Sequence, residues 1–207
     1  MIKALIFDLD NTIYPVNSIA DELFENLFNV VEEYRELLGD EKLQHIKEEF
    51  KRRPYQDIAR EYNFSEELNQ KGLAHLQNAT YNKPMTAFHG YHEVKQLPLQ
   101  KFLATKGFNK LQHSKIEMLG IAGDFEEIHI VDPQLSLQTK KDVFDDILRR
   151  YGYQPNEVLV IGDDLNSEIK AAKDLGITTF LFDPENKHVD ADVDFLSGKL
   201  VDIIDCV

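Results

Sequence analysis

The sequence predicts an α/β fold: a doubly wound parallel sheet carrying an all-helical insertion. Three observations predict it. Five short apolar runs recur along the chain, four of them nearly continuous instead of alternating with polar residues. Continuous runs are how strands buried on both faces of a parallel sheet read. Segments with helix-spaced apolar residues separate the second through fifth runs, and strand followed by helix, repeated, is the doubly wound pattern. Finally, residues 14–88 hold no convincing strand and read as helical throughout.

Taken in order, Ala4-Leu5-Ile6-Phe7 is the first strand. The helical stretch follows. Ser18 with Asp21 resembles a capping box ahead of Leu23, Leu27, Val30, Val31 and Tyr34. Gly39-Asp40 separates this helix from one holding Leu43, Ile46 and Phe50, and Pro54 breaks the chain again. Ser65 can cap a helix running through Leu68, Leu73 and Leu76. The expected division is a core domain of residues 1–13 and 89–207 with a helical domain of 14–88; one large mixed domain is the alternative. The remaining strands are Phe102-Leu103-Ala104, Ile128-His129-Ile130-Val131, Val158-Leu159-Val160-Ile161 and Thr179-Phe180-Leu181-Phe182. Helices are expected over about 111–119, 140–151 and 167–175, the second opened by a Thr139/Asp142 capping box.

Composition narrows the function classes. The 207 residues allow one large domain or a core with an insertion, and 43% hydrophobic residues suffice for a core. No apolar run approaches the roughly 18 residues of a membrane span. The N-terminus turns polar at Asp8 and Asp10, too early for a signal peptide. Cys206 is the single cysteine, so no intrachain disulfide forms, in keeping with a reducing cytoplasm. A net charge of -14 argues against nucleic acid as a partner. A small anion remains possible if a metal ion, a lysine or backbone N–H groups compensate locally.

Four polar clusters follow strands: Asp8-Leu9-Asp10-Asn11-Thr12, Thr105-Lys106-Gly107, Lys140-Lys141 and Gly162-Asp163-Asp164. Ligands of open parallel sheets sit at the carboxyl ends of the strands, so all four clusters converge on one edge. Asp8 and Asp10 taken alone could be turn residues. With Asp163 at the same edge, however, several carboxyl groups need a cation, and hard oxygen ligands suit Mg2+. Glu168 is either a helix-start acid or a residue behind the metal. A carboxylate can also attack phosphorus, and the site then needs donors for phosphoryl oxygens. Thr105 and either Lys140 or Lys141 supply candidates. Thr139 places Lys140 at the first position of its helix, where the dipole disfavours a cation unless an anion is near.

These motifs resemble the haloacid-dehalogenase-like (HAD) hydrolases. Ile6-Phe7-Asp8-Leu9-Asp10-Asn11-Thr12 matches the first motif of that family, and Leu103-Ala104-Thr105-Lys106 resembles the second. Val160-Ile161-Gly162-Asp163-Asp164 through Glu168 looks like the fourth, followed by Ala171-Ala172 and Leu175-Gly176. The third is the shortest match and fits Lys140, with Lys141 the alternative. The helical insertion is similar to the family's C1-type cap on a Rossmann-like core. The resemblance implies that Asp8 is the nucleophile and Asp10 the general acid and base. It implies Mg2+ at Asp8, the Asp10 carbonyl and Asp163, and phosphate at Thr105, Lys106 and Lys140. Lys106 stands where many relatives have Asn, and Glu168 where many have Asp.

The implied activity is a Mg2+-dependent phosphatase acting on a small phosphorylated metabolite. True haloacid dehalogenases lack the aspartate at Asp10. A β-phosphoglucomutase-like phosphotransferase would share the same residues, and a non-catalytic phosphate-binding regulator is the non-enzymatic alternative. Asn11-Thr12-Ile13-Tyr14-Pro15 resembles the start of pyrimidine 5'-nucleotidase-like members, which suggests a nucleotide monophosphate; a sugar phosphate is the other candidate. Arg52, Arg53, Tyr55 and Lys83 are the polar residues expected to choose among substrates, while His89 and His92 are expected at the surface or in the linker.

Overall fold

The computed structural model describes residues 1–51, 53 and 55–207. Its centre is a six-stranded, wholly parallel sheet. The strands are β1 (Ala4–Phe7), β2 (Gln100–Lys106), β3 (Glu127–Val131), β4 (Val158–Gly162), β5 (Thr178–Phe182) and β6 (Phe195–Ser197), ordered β3-β2-β1-β4-β5-β6. The order reverses at β1, so the carboxyl ends of β1, β2 and β4 flank the crevice where doubly wound sheets bind ligands.

The alternation within β1 shows that both faces are covered. Leu5 and Phe7 join one buried cluster, with Leu103, Leu159, Ile161 and Phe180. Ala4 and Ile6 join the other, with Phe102, Val160, Phe144 and Ile147. Burial on both faces is what the continuous apolar runs required.

After β1, among the described residues, come α1 (Ala20–Leu23), α2 (Glu25–Glu32), α3 (Arg35–Leu38), α4 (Asp40–Glu49), α5 (Tyr55–Glu61) and α6 (Glu66–Asn78). A short α7 (Tyr91–Lys95) leads into β2. The sheet helices α8 (Asn109–Leu119), α9 (Lys140–Tyr151) and α10 (Glu168–Lys173) then alternate with strands as expected. The chain leaves and rejoins the sheet at nearly one point, since the Phe88 N–H donates to the Ile13 carbonyl at 2.7 Å. The helical segment is not sealed off from the sheet. Leu27, Leu43, Ile46 and Leu76 belong to the same apolar cluster as Phe7.

Several local expectations differ from the structure. Ser18 is not a helix cap: it closes a 3-10 turn (Val16–Ser18), and its hydroxyl donates back to the Pro15 carbonyl at 2.6 Å. A short hydroxyl competes readily for nearby backbone in this way. The helix expected through Leu23 and Tyr34 is broken at Phe24 and again around Tyr34, giving α1, α2 and α3. Gly39 takes φ +81°, the break expected there. The Pro54 break lies outside the described residues. Ser65 does cap α6, accepting from Leu68 N–H at 3.2 Å, and Thr139 and Asp142 form the expected capping box. Strand β6 was not anticipated. It is three residues long and lies at the sheet edge with Phe195 and Leu196 exposed, so it carries no buried-strand pattern. Among the described residues, no helix is long and apolar enough to cross a membrane.

Candidate active site

Asp8 continues β1 by one residue, its N–H donating to the Ile161 carbonyl at 2.9 Å. The chain then turns sharply. Asn11 adopts φ +57°, a left-handed conformation that asparagine tolerates better than most residues, and its Oδ1 accepts the Val16 N–H at 3.0 Å. This turn places Asp8 and Asp10 at the sheet edge with different partners.

Asp8 is buried against Lys140. The Lys140 Nζ lies 2.6 Å from Asp8 Oδ1 and 2.6 Å from Glu168 Oε2. Lys140 is the first residue of α9, set there by the Thr139 cap. Glu168 opens α10 and folds over Gly162, where a Cβ would fall 2.1 Å from the Glu168 Cγ. Its other oxygen accepts the Asp164 N–H at 2.8 Å. Both Glu168 oxygens are therefore occupied by the protein.

Asp8, Asp163 and Glu168 each bring an oxygen within 4.8 Å of the others. One ammonium faces three carboxyl groups, and the electrostatics follow. Burial pushes Asp8 up to about 7 even though Lys140 pulls the other way. Burial, then Glu168 and Asp8, push Asp163 up to about 8. Burial disfavours charge on Lys140, but Asp8 and Glu168 outweigh it and hold the ammonium above its ordinary range. Among the described residues, Asp163 accepts only a long contact from Thr12 Oγ1, at 3.4 Å. Under-compensated, closely spaced oxygen donors fit a hard divalent cation such as Mg2+. Asp8 and Asp163 are the carboxylates left to hold it.

Asp10 sits in a separate clamp. Lys115 Nζ donates to Oδ1 at 2.7 Å, the Tyr14 hydroxyl donates to the same oxygen, and Gln112 Nε2 donates to Oδ2 at 2.8 Å. Burial alone would raise the Asp10 carboxyl, but Lys115 and these hydrogen bonds hold it below its ordinary value. The same Asp10 charge, after burial, drives Tyr14 well above the usual phenol range.

A cavity of about 210 Å³ opens over these groups, between the sheet edge and the helical segment. Asp8, Asp10, Lys106, Lys140 and Asp163 all line it. Thr105 does not. It is buried behind Gln112, whose Nε2 donates to its Oγ1 at 2.6 Å. Lys141 points elsewhere, reaching Asp174 at 4.0 Å, so of these two neighbours it is Lys140 that lines the cavity. Asp164 organises its own turn by accepting the Asn166 N–H at 2.7 Å. Of the residues expected to select substrate, Arg53 and Tyr55 line the cavity, Lys83 pairs with Glu22 outside it, and Arg52 lies outside the described residues. His89 and His92 are exposed.

Sequence reasoning missed Lys115, Gln112 and Tyr14 as site residues. The available signal was on α8, where Gln112 and Lys115 share the buried face with Leu111 and Ile116. Two polar side chains on an inward helical face demand partners.

A family model for haloacid dehalogenase-like hydrolases matches residues 2–176. The chain belongs to this family. As a HAD-like hydrolase it is similar to a protein of Methanopyrus kandleri named glyceraldehyde 3-phosphate phosphatase, at 26% identity, covering 86% of this chain and 83% of that one. Among solved structures, the hydrolase superposes on a HAD phosphatase from Thermococcus onnurineus with a TM-score of 0.68 at 18% identity, covering 99% of this chain and 97% of that one. It superposes on the magnesium-bound HAD hydrolase YfnB from Bacillus subtilis with a TM-score of 0.63 at 19% identity, covering 99% and 98%. At these identities the structural likenesses establish the shared fold.

Proposed function

We propose that this HAD-like hydrolase is a Mg2+-dependent phosphatase that cleaves a small phosphomonoester through an aspartyl phosphate on Asp8. One observation carries the reading: two neighbouring aspartates at the cavity floor have opposite surroundings. Asp8 faces Lys140 beside Asp163, whereas Asp10 is clamped apart by Lys115, Tyr14 and Gln112. Two carboxyl groups in different environments can take different roles.

Asp8 attacks phosphorus, and the bond from phosphorus to the ester oxygen breaks. The leaving oxygen takes a proton from Asp10. Asp10 then removes a proton from the water that attacks the phosphoryl group, releasing phosphate and restoring Asp8. The clamp favours the ionised Asp10, so protonating a poor leaving group is the harder half of the cycle. Lys140 and Lys106 lie where they can neutralise phosphoryl oxygens. Thr105 would reach phosphate only if Gln112, which covers it, moved aside. Asp8, Asp163 and the Asp10 carbonyl would hold Mg2+, which when bound offsets the charge of phosphate and nucleophile. Glu168 supports Lys140 from behind.

Residues 14–88 act in this reading as a cap domain over the core of 1–13 and 89–207. The cap excludes water and large substrates. The name carried by the Methanopyrus kandleri relative also favours a small phosphorylated substrate. The test is hydrolysis of an aryl phosphate and a panel of small phosphomonoesters, with EDTA and after Mg2+ is restored. Chelation should abolish turnover and Mg2+ should return it. Full activity in EDTA, or faster dephosphorylation of a folded phosphoprotein than of every small ester, would overturn the proposal.

A further inference from the structure

The cavity extends from Asp8 up into the helical segment, and that upper part has a distinct chemistry. From residues 14–88, Val16, Phe24, Leu27, Phe50 and Leu76 line it. Four polar residues line it as well: Lys51, Arg53, Tyr55 and Gln56. Three of these have their polar ends engaged by the protein. Lys51 reaches Asp21 at 3.0 Å and Glu48 at 3.3 Å. Arg53 pairs with Glu49 at 2.7 Å and Glu61 at 2.6 Å. The Tyr55 hydroxyl turns into α6, 3.3 Å from the Asn69 carbonyl, in space kept open by Gly72. Its ring stacks on Phe50, with centroids 5.6 Å apart and planes 20° apart. Gln56 differs, because its Nε2 is buried with no hydrogen-bond partner among the described residues.

From this we infer that the leaving group is compact, uncharged and mainly apolar, with at most one oxygen acceptor for the Gln56 amide; the inference rests on the phosphatase reading above. A polyol or a second phosphate placed against these walls would find the polar ends of Lys51, Arg53 and Tyr55 already engaged, with Lys106 of the same cavity assigned to the transferred phosphoryl group, and its own polar groups would lose water without replacement. An alkyl or aryl group would instead be buried against matching walls. Turned into the chamber, the unpaired Gln56 amide favours a single carbonyl or ether oxygen on that group.

The full-length chain with Mg2+ is assayed on four esters: 3-methylbutyl phosphate, 3-oxobutyl phosphate, glycerol phosphate and glyceraldehyde 3-phosphate. The polyol leaving groups are intrinsically no poorer than the alkyl one, so preference for the apolar esters must come from the chamber. We expect kcat/KM to favour the two apolar esters over glycerol phosphate by about 10²-fold, the usual scale for one or two misplaced hydroxyls. Gln56→Leu should lower the ratio of 3-oxobutyl to 3-methylbutyl hydrolysis about tenfold. Equal rates, or preference for glycerol phosphate or glyceraldehyde 3-phosphate, would overturn the apolar leaving group while leaving the phosphatase reading intact. An unchanged Gln56→Leu ratio would remove the amide from substrate recognition. No hydrolysis of any ester, aryl phosphate included, would sink both readings together.

Discussion

Lys115 Nζ lies 2.7 Å from Asp10 Oδ1, and its side chain is 6% exposed. A buried lysine is disfavoured unless paired, and here the pairing partner is the proposed acid and base. Lys115 also lies 5.9 Å from the centroid of the Tyr14 ring, so the three side chains brace one another. Lys115→Met should remove the strongest donor to Asp10 while keeping the chain's length and apolar stem. The Asp10 carboxyl should then rise towards or above its ordinary value, and with a nitrophenyl phosphate, whose turnover waits on Asp10 acting as base, the acidic limb of the kcat–pH profile should move to higher pH. On that limb kcat should fall about tenfold for each pH unit of the shift. An unshifted acidic limb in a correctly folded Lys115→Met protein would break the link between the two residues.

The two aspartates should separate in phosphoenzyme experiments. Asp8→Asn removes the proposed nucleophile, so no phosphoenzyme should form with any substrate. Asp10→Asn removes proton transfer but leaves the attack possible. With a nitrophenyl phosphate, whose leaving group needs little protonation, a burst should be followed by turnover slowed about 10²–10⁴-fold. Trapping and quantifying the acid-stable or acyl phosphate species in each variant checks this. Wild-type turnover of alkyl phosphates by Asp10→Asn would reverse the assignment.

What was legible in the sequence follows from which interactions are local. The five apolar runs announced β1 to β5 because burial on both sheet faces leaves no polar gaps, and the Thr139/Asp142 and Ser65 caps were visible because capping acts across three residues. Asp8, Asp10 and Asp163 could be brought together because strand ends share one sheet edge. Lys115 could not, since its partner is 105 residues away and nothing in the sequence pairs them. Lys140 and Lys141 are neighbours in one helix, and only the direction each side chain takes from α9 separates them. Ser18 failed as a cap because the Pro15 carbonyl was a nearer partner than the helix start. Strand β6 has one solvent-facing edge and is three residues long, too short to carry a pattern.

Gly162 tests how the Glu168–Lys140 pair is held. A methyl group there would sit 2.1 Å from Cγ and 2.2 Å from Oε1 of Glu168, so the glutamate must move. Gly162→Ala should destabilise the fold by about 1–3 kcal/mol, the usual range for overpacking. Activity should fall further than stability, because displacing Glu168 frees the ammonium that faces Asp8. Gly123, which has open space around its would-be Cβ, is the control, and Gly123→Ala should stay within about 0.5 kcal/mol. Thermal melts and kcat measured on both variants decide it. Equal, small effects at the two positions would mean that Glu168 is not pinned by Gly162.

The metal-free protein should become less stable as pH rises, against the usual behaviour of carboxylates. Asp163 is held at about 8 in the fold against 3.8 as an ordinary carboxyl, with burial the leading cause and Glu168 next. Asp8 is held at about 7 against 3.8, again by burial first. Between those limits the folded chain binds more protons than the unfolded one, and stability falls with pH wherever that is so. Each such group contributes at most about 1.4 kcal/mol per pH unit; the half-buried Asp163 contributes less because solvent screens it. In EDTA, the melting temperature should therefore decline from about pH 5 to about pH 8. Mg2+ held by ionised Asp8 and Asp163 reverses the preference, since the cation binds the form that high pH favours. The stabilisation by Mg2+ should then be larger at pH 8 than at pH 6. Asp163→Asn removes the titrating group and a proposed ligand together. It should flatten the EDTA profile and erase most of the Mg2+ gain at pH 8. An EDTA profile that rises over this range, or an Asp163→Asn protein that keeps the full Mg2+ gain, would show that Asp163 is not the under-compensated acid of the site.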